Sequence, residues 1–288
     1  MLPVWNRMSM AKVDSTRKFF DSAPVPDEEK WLGWDQLDEL FRQYHKPEKY
    51  SYDPDAVEKR GRERAEEILA ALPSDFKKGG LKTLEIGALD AMASYFLWKV
   101  GFSPTAFDLT DSHFKGKVLD ADIECHVMSA TDLSYEDNSF DLAFSYNAFE
   151  HIDDPDKALS EAIRVVKPGG YIYLNFGPLY FSPMGLHAHE SIPVPYCQFL
   201  FETHLLQKYC DENNLGTIEF DTMNGWPASR FRTTFEKYRD KLIIENYGER
   251  REIYGLELVE KFTQCFRGKV EKFDDLTISA IEVLIRVK

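Results

Sequence analysis

The sequence predicts an α/β fold, a doubly wound and mostly parallel sheet with helices on both faces, and three observations carry that prediction. Between residues 81 and 176, short buried apolar runs alternate with stretches of helical periodicity. The first of these runs, Thr83, Leu84 and Ile86, passes through Gly87 directly into a helical pattern at Ala91 to Val100. Lys167-Pro168-Gly169-Gly170 then separates a helical stripe from the next apolar run, as a helix stop followed by a strand should. A strand, turn, helix unit in an open parallel sheet puts its loop at the carboxyl end of the strand, beside a helix N-terminus, where adenosine-bearing cofactors bind. Gly87 stands alone where a dinucleotide fingerprint has three glycines, so by itself the turn reads equally well as an ordinary connection.

Taken in order, residues Met1 to Pro26 read as an arm, with Pro3, Pro24 and Pro26 interrupting any long element. From Asp27 to Tyr44, Trp31, Leu32, Trp34, Leu37, Leu40 and Phe41 share a face, which predicts an amphipathic helix started by Asp27-Glu28-Glu29. A loop from Pro47 to Pro54 leads to a charged helix over about Asp55 to Leu72, stopped by Pro73 and Gly79-Gly80. Beyond the first strand and its helix, strands are predicted at Pro104 to Leu109, Ile123 to Met128 and Phe140 to Ser145, a helix at Asp156 to Val166, and a fifth strand at Tyr171 to Phe176. The remainder is less regular. A loop from Gly177 to Pro195 precedes a helix at about Tyr196 to Asn213 and a strand at Thr217 to Thr222, and an excursion from Met223 to Asp275 holds helical stretches near Ser229 to Lys241 and Leu256 to Phe266. Thr277 to Val287 alternates as an edge-type strand. The domain plan is therefore an N-terminal arm and helical cap over 1–80 and a main domain over 81–288, with insertions at about 178–196 and 223–275 suited to a substrate lid.

Composition narrows the function classes. The 288 residues carry 35 Lys plus Arg against 49 Asp plus Glu, a net charge of −14, which repels phosphate backbones and anionic lipid surfaces and argues against nucleic acid as a partner. No apolar run reaches the roughly 20 residues needed to span a bilayer, and the N-terminus lacks a secretory pattern, so a cytoplasmic protein without membrane association is expected. Cys125, Cys197, Cys210 and Cys265 are scattered without a CxxC pair, which predicts neither a disulfide framework nor a cysteine-rich zinc site.

The run Asp132-Leu133-Ser134-Tyr135-Glu136-Asp137-Asn138-Ser139-Phe140-Asp141-Leu142, followed by Glu150-His151-Ile152, Asp154-Pro155, Ala158-Leu159 and Val166-Lys167-Pro168-Gly169-Gly170, resembles the class I S-adenosylmethionine-dependent methyltransferases of the type 11 group in spacing and order. The resemblance is close over residues 81 to 177 and looser beyond. It implies a Rossmann-like, mostly parallel seven-stranded sheet with an antiparallel last strand, S-adenosylmethionine as cofactor, and roles by position. Glu85 would organise the loop near the methionine amino group, and Gly87 would let the backbone approach the cofactor. Asp108 would accept both ribose hydroxyls, which suits an ionised carboxylate facing a vicinal diol. Ser129, Ala130 and Asp132 fall at the adenine turn, and the backbone at Ser145 and Tyr146 falls at the methionine end. Two departures stand out: Leu89 and Ala91 occupy the family's further loop glycines, and Ser129 occupies its adenine-side aspartate, leaving Asp132 as substitute.

Methyl transfer from a sulfonium is a direct displacement that needs alignment in a dry site, and a general base only when the acceptor attacks while still protonated. His187 and His189, in the loop after the fifth strand, and His151, after the fourth beside Glu150, are the candidates for such a base. If the loop is extended, the alternation of His187 and His189 puts both on one side, where with Glu190 they also begin a metal site; loop structure is the other reading for each, and no metal is expected. Tyr50, Tyr52, Tyr180, Phe181, Trp226, Arg230 and Arg232 suit either a partly aromatic pocket or, for the arginines, a solvated face. The expectation is methylation of a small-molecule acceptor, with a homodimer as the candidate assembly; a protein methyltransferase and a non-catalytic ligand- or partner-binding protein of the same fold are the alternatives.

Overall fold

A computed structural model describes residues 4–46, 51–76 and 80–288, with the side chains of residues 4–10 left aside. The expected loop residues 47–50, including Tyr50, and Pro3 and Gly79 lie outside the described residues. The chain forms two compact units: residues 1–49, 178–229 and 249–280 make the first, and residues 50–177, 230–248 and 281–288 the second. These units do not follow the division at residue 80, because the helix from Pro54 to Ala71 packs in the second unit.

The second unit holds the sheet. Strands β1 (Lys82–Ile86), β2 (Ser103–Asp108), β3 (Glu124–Val127), β4 (Phe140–Tyr146), β5 (Val166–Phe176), β6 (Leu242–Arg251) and β7 (Ile278–Val287) stand in the order β3-β2-β1-β4-β5-β7-β6. β1 pairs in parallel with β2 and β4, β2 with β3, and β4 with β5, whereas β7 runs antiparallel to β5. This is the Rossmann-like seven-stranded sheet expected, with the antiparallel last strand. β4 is buried along almost its whole length, which explains why a parallel strand covered on both faces reads as a continuous apolar run. Val166 pairs with Phe140 and the register then jumps to Tyr171 opposite Leu142, so Lys167 to Gly170 bulge out of β5 instead of separating it from the preceding helix.

Three of this unit's helices flank its first five strands. They are α3 (Pro54–Ala71), α4 (Met92–Lys99) and α5 (Pro155–Val165). Ala65, Ile68 and Leu72 of the α3 region join Ala93, Leu97, Leu142, Phe144, Tyr146, Tyr173 and Leu284 in one core. Gly61 is required at the α3–α4 contact, since a Cβ there would stand 2.4 Å from the Met92 Cβ. α5 opens on Asp154, whose carboxylate accepts the Lys157 amide hydrogen at 3.1 Å, with Pro155 at its first position. From its last turn Arg164 donates to the carbonyls of Leu133 at 2.9 Å and Tyr135 at 2.7 Å, and Glu161 accepts from the Leu133 amide at 3.0 Å. These bonds explain the fixed spacing between the run at 132–142 and the helix that follows: the helix staples the connection that ends in β4.

The first unit contains α1 (Val4–Ser22), α2 (Trp34–Gln43), α6 (Cys197–Leu200), α7 (Thr203–Asn213), α9 (Leu256–Lys261) and α10 (Thr263–Phe266); α8 (Ala228–Lys237) spans the passage from the first unit to the second. Phe20, Leu37 and Leu40 bury themselves with Ile192, Tyr196, Phe199, Leu206, Tyr209, Leu256 and Phe266 in a core of its own. The N-terminal segment and the two insertions thus supply one another with apolar surface.

Four expectations are corrected. Residues 4–22 form a 19-residue helix and not an interrupted arm, because Pro24 and Pro26 follow the helix instead of entering it. α2 begins at Trp34 and not at the acidic Asp27-Glu28-Glu29; the Gly33 amide donates to the Gln36 side chain at 3.1 Å and starts it there. Thr217 to Thr222 is not a strand; the sixth strand is Leu242–Arg251, inside the stretch read as an excursion. β7 lies between β5 and β6 and is buried along most of its length, so the edge strand is β6, which carries Glu245, Arg250 and Arg251 as edge strands do.

Candidate cofactor site

The order of strands reverses between β1 and β4, and in an open sheet the crevice at the carboxyl ends of such a pair is where ligands bind. Gly87 ends β1 with φ at +65°, and a Cβ on it would stand 2.5 Å from the Cβ of Ala148, just beyond β4. The two loops therefore touch through a glycine at the switch point. Gly87→Ala is expected to cost about 2 kcal/mol or more, from left-handed backbone strain and the contact with Ala148 together. A urea midpoint like that of the wild type would show that this approach is not tight.

Leu89 and Ala91 settle into the same left-handed region, with φ of +50° and +53°. The loop thus keeps the backbone path of a glycine-rich turn although two of its glycines are absent, at a cost of roughly 1–2 kcal/mol for each such residue. Hydrogen bonds hold it there. The Leu89 amide donates to Asp108 Oδ2 at 2.8 Å, the Ala88 amide to the Phe107 carbonyl at 2.9 Å, and the Met92 amide to Asp90 Oδ1 at 3.0 Å. Strain maintained by so many contacts is the kind that clusters at ligand sites.

Asp108 ends β2 half-buried, and its other oxygen accepts the Leu109 amide at 2.7 Å. Each carboxylate oxygen has two lone-pair sites, so one on each remains for a ligand hydroxyl. Leu109 beside it is 71% exposed, an apolar side chain standing bare next to a carboxylate. The Met128 amide donates to the Asp108 carbonyl at 3.0 Å and brings the turn after β3 alongside. In that turn Ser129 and Thr131 bond each other through their hydroxyls at 2.8 Å, Ala130 is buried, and the Asp132 amide donates to the Ser129 carbonyl at 3.2 Å. Asp132 is exposed, and its carboxylate makes no hydrogen bond among the described residues.

Glu85 is 3% exposed, accepts the Ser94 amide at 3.0 Å from the first turns of α4, and has its carboxyl pushed up to about 7 by burial. Ser145 and Tyr146 lie in the ladder with β5, and their side chains serve the fold: Ser145 donates to the Ile86 carbonyl at 2.8 Å, while the Tyr146 hydroxyl reaches the Arg64 carbonyl at 3.1 Å and Glu67 at 3.0 Å. The part of this segment that meets the β1 loop is Ala148. Glu150 is buried with one oxygen accepting the Gly177 amide at 2.9 Å and the other without a hydrogen-bond partner among the described residues, and burial raises its carboxyl as well. Glu150 was legible as part of the run after the fourth strand, but its burial was not, and Leu109 escapes a reading by motif because only tertiary contact gives it a place.

Of the candidate bases, only the loop of His187 and His189 departs from expectation. His151 is exposed and its amide closes a turn on the Ala148 carbonyl at 2.8 Å. The loop of His187 and His189, in the first unit, is a series of turns with His187 at φ of +59°, so the extended alternation that would align the two rings does not occur. Backbone hydrogen bonds close these turns, among them Gly185 to Ser182, His187 to Met184 and Ser191 to Ala188. His187 donates from Nε2 to the Pro178 carbonyl at 2.9 Å, whereas His189 Nδ1 is buried without a hydrogen-bond partner among the described residues. Tyr180 meets Phe199 edge-on and Phe181 meets it at a tilt in the core of that unit, and Tyr52 is exposed.

The donor set fits an adenosine-bearing sulfonium with an amino-acid end: a paired-acceptor carboxylate at β2, a glycine-shaped loop at β1, an apolar neighbour, and a buried carboxyl at Glu85 for a cation. Residues 84–174 match the model of a methyltransferase domain family. Over 106 residues the chain is 32% identical to a demethylmenaquinone methyltransferase of Renibacterium salmoninarum, covering 34% of this chain and 45% of that protein. It is 28% identical over 120 residues to a norajmaline N-methyltransferase of Rauvolfia serpentina, covering 41% and 38%. The matches thus span less than half the length of these relatives. Among solved structures, a putative sarcosine dimethylglycine methyltransferase from Galdieria sulphuraria superposes with a TM-score of 0.49 at 15% identity over 96% of this chain and 98% of that one.

Proposed function

Through residues 84–174 this chain belongs to the class I S-adenosylmethionine-dependent methyltransferases, and from that premise we propose that it transfers the methyl group of S-adenosylmethionine to a small-molecule acceptor. The observation that carries the reading is the loop at Gly87 to Ala91, held in glycine-like geometry by Asp108 although Leu89 and Ala91 replace glycines. A loop that had lost its ligand would have no reason to keep two strained residues, so this geometry speaks against loss of the ligand site.

When bound, S-adenosylmethionine supplies an electrophilic methyl on a sulfonium. The chain's own residues bind and orient it: Asp108 accepts the ribose hydroxyls, Gly87 lets the backbone approach, Ser129, Ala130 and Asp132 face the adenine, and Glu85 receives the amino group. The small-molecule acceptor is supported by relatives named demethylmenaquinone methyltransferase and norajmaline N-methyltransferase. A net charge of −14 disfavours a nucleic-acid acceptor. Acceptor selection is assigned to the first unit, which lies outside the matched domain. Should the acceptor attack while still protonated, His151, His187 and His189 remain the candidate bases, His187 the least suited because its Nε2 proton is already given to Pro178.

Calorimetry with S-adenosylmethionine and S-adenosylhomocysteine tests the reading, with micromolar binding of at least one expected. Absence of binding to either sinks it.

A further inference from the structure

The loop after β5 leaves polar groups unspent in the interior of the first unit. Ser182 is fully buried, yet its Oγ makes no hydrogen bond among the described residues; Gln198, on α6 and 7% exposed, has its Oε1 in the same condition. The two residues are fastened together. Gln198 donates from Nε2 to the Tyr180 carbonyl at 2.6 Å and to the Ser182 carbonyl at 3.1 Å. That pairing fixes the orientation of the amide, because turning it over would set its oxygen against two carbonyl oxygens, so the atom left over is an acceptor. Ser182 has little freedom to adjust. Its amide donates to the Leu179 carbonyl at 2.9 Å, its carbonyl accepts the Gly185 amide at 3.0 Å, and a Cβ on Gly185 would stand 2.2 Å from the Tyr180 carbonyl oxygen. A serine hydroxyl in a turn commonly settles on a nearby carbonyl, and this one does not. Two buried groups left unpaired in so tight a turn disfavour folding and call for an occupant.

The chemistry of the two atoms defines that occupant. A serine hydroxyl rotates to suit its partners and would bond Oε1 if that atom were in range, so a third group has to join them. Oε1 needs a donor, and Oγ has a proton to give to an acceptor. A hydroxyl supplies both from one atom. An ammonium, the form an aliphatic amine takes at neutral pH, has no lone pair, and an ionised carboxylate or a ketone has no hydrogen to donate. The flank is aromatic: Tyr180 and Phe181, both half-buried, meet Phe199 with ring centres 5.8 Å and 5.4 Å away. We propose that this turn of the first unit is the recognition site for an aromatic hydroxyl, whose oxygen donates to Gln198 Oε1 and accepts from Ser182 Oγ. The proposal names the class of acceptor and rests on the reading that the first unit selects a small-molecule acceptor for methyl transfer.

The test is calorimetry on the full chain with S-adenosylhomocysteine present and three probes: 2-naphthol, naphthalene, which lacks the hydroxyl, and 2-methoxynaphthalene, which keeps the oxygen but has no hydrogen for Oε1. Wild-type protein should bind 2-naphthol about tenfold or more tightly than naphthalene, and 2-methoxynaphthalene should lose most of that advantage. Ser182→Ala breaks no side-chain hydrogen bond of the free protein, so its melting temperature should match or exceed that of the wild type. Its affinity for 2-naphthol should fall about three- to tenfold while that for naphthalene stays unchanged. Absence of a preference for 2-naphthol in the wild type would overturn the proposal, as would an equal loss for 2-naphthol and naphthalene in Ser182→Ala. A lower melting temperature of Ser182→Ala with unchanged 2-naphthol affinity would also overturn it, marking the hydroxyl as the partner of a buried water. Failure of S-adenosylhomocysteine itself to bind is a different result: it removes the methyltransferase reading, and this proposal with it.

Discussion

Asp108→Ala is expected to weaken binding of S-adenosylhomocysteine by about a hundredfold, because two charge-assisted hydrogen bonds to the ribose are lost at roughly 1.5 kcal/mol each. The structure adds a complication. Asp108 also accepts the Leu89 and Leu109 amides, so the substitution releases the cofactor loop as well as the ribose contact. A double cycle with the 2′-deoxy analogue of S-adenosylhomocysteine separates these effects. If Asp108 bonds the hydroxyl, removing that hydroxyl costs the wild-type protein about tenfold and the variant almost nothing. Should the deoxy analogue lose equally against both proteins, Asp108 organises the loop and does not touch the ribose.

That double role of Asp108 shows where the sequence was legible and where it was not. β1, β4 and α5 could be read because burial on both faces of a parallel strand, or on one stripe of a helix, leaves a strong apolar pattern; Leu142, Ala143 and Phe144, and Ala158, Leu159 and Ala162, are all buried. β6 was hidden for the opposite reason. Leu242 is its only buried residue, and Glu245, Arg250 and Arg251 along a sheet edge look like any solvated segment. α1 was obscured by prolines that read as breakers and are in fact boundaries. At the site, Asp108 and Gly87 were readable from position in the pattern. The consequence of Leu89 and Ala91 was not, since φ is chosen by the tertiary bonds to Asp108, Asp90 and Phe107, which no local propensity encodes. Glu150 was legible by its place in the run after β4, but the burial that leaves one of its oxygens without a hydrogen-bond partner among the described residues was not, because it comes only from what is packed against it.

Glu85→Gln is expected to flatten the pH dependence of folding between about pH 5 and pH 7.5. The buried carboxyl is pushed up to about 7 in the folded chain, while in the unfolded chain it titrates near the ordinary 4.5. A carboxyl raised by folding contributes stability that is fully present below the unfolded value and is lost as pH rises through the folded one. The span between the two values corresponds to roughly 3 kcal/mol, lost progressively between about pH 4.5 and pH 7. Glutamine keeps an acceptor for the Ser94 amide and stays neutral throughout, so its urea midpoint should change less between pH 5 and pH 8 than that of the wild type. Glu150, also raised by burial, titrates in the same direction and remains in the variant, so the slope is reduced and not abolished. Cofactor binding turns the same linkage around. If the methionine ammonium sits against Glu85, it favours the ionised carboxylate, so wild-type affinity for S-adenosylhomocysteine should rise as pH increases toward and through 7, with a proton released on binding at pH 6 that calorimetry in buffers of different ionisation enthalpy detects. Equal pH slopes of affinity in wild type and Glu85→Gln would place the ammonium elsewhere, and Glu85 would then be a structural brace for α4 alone.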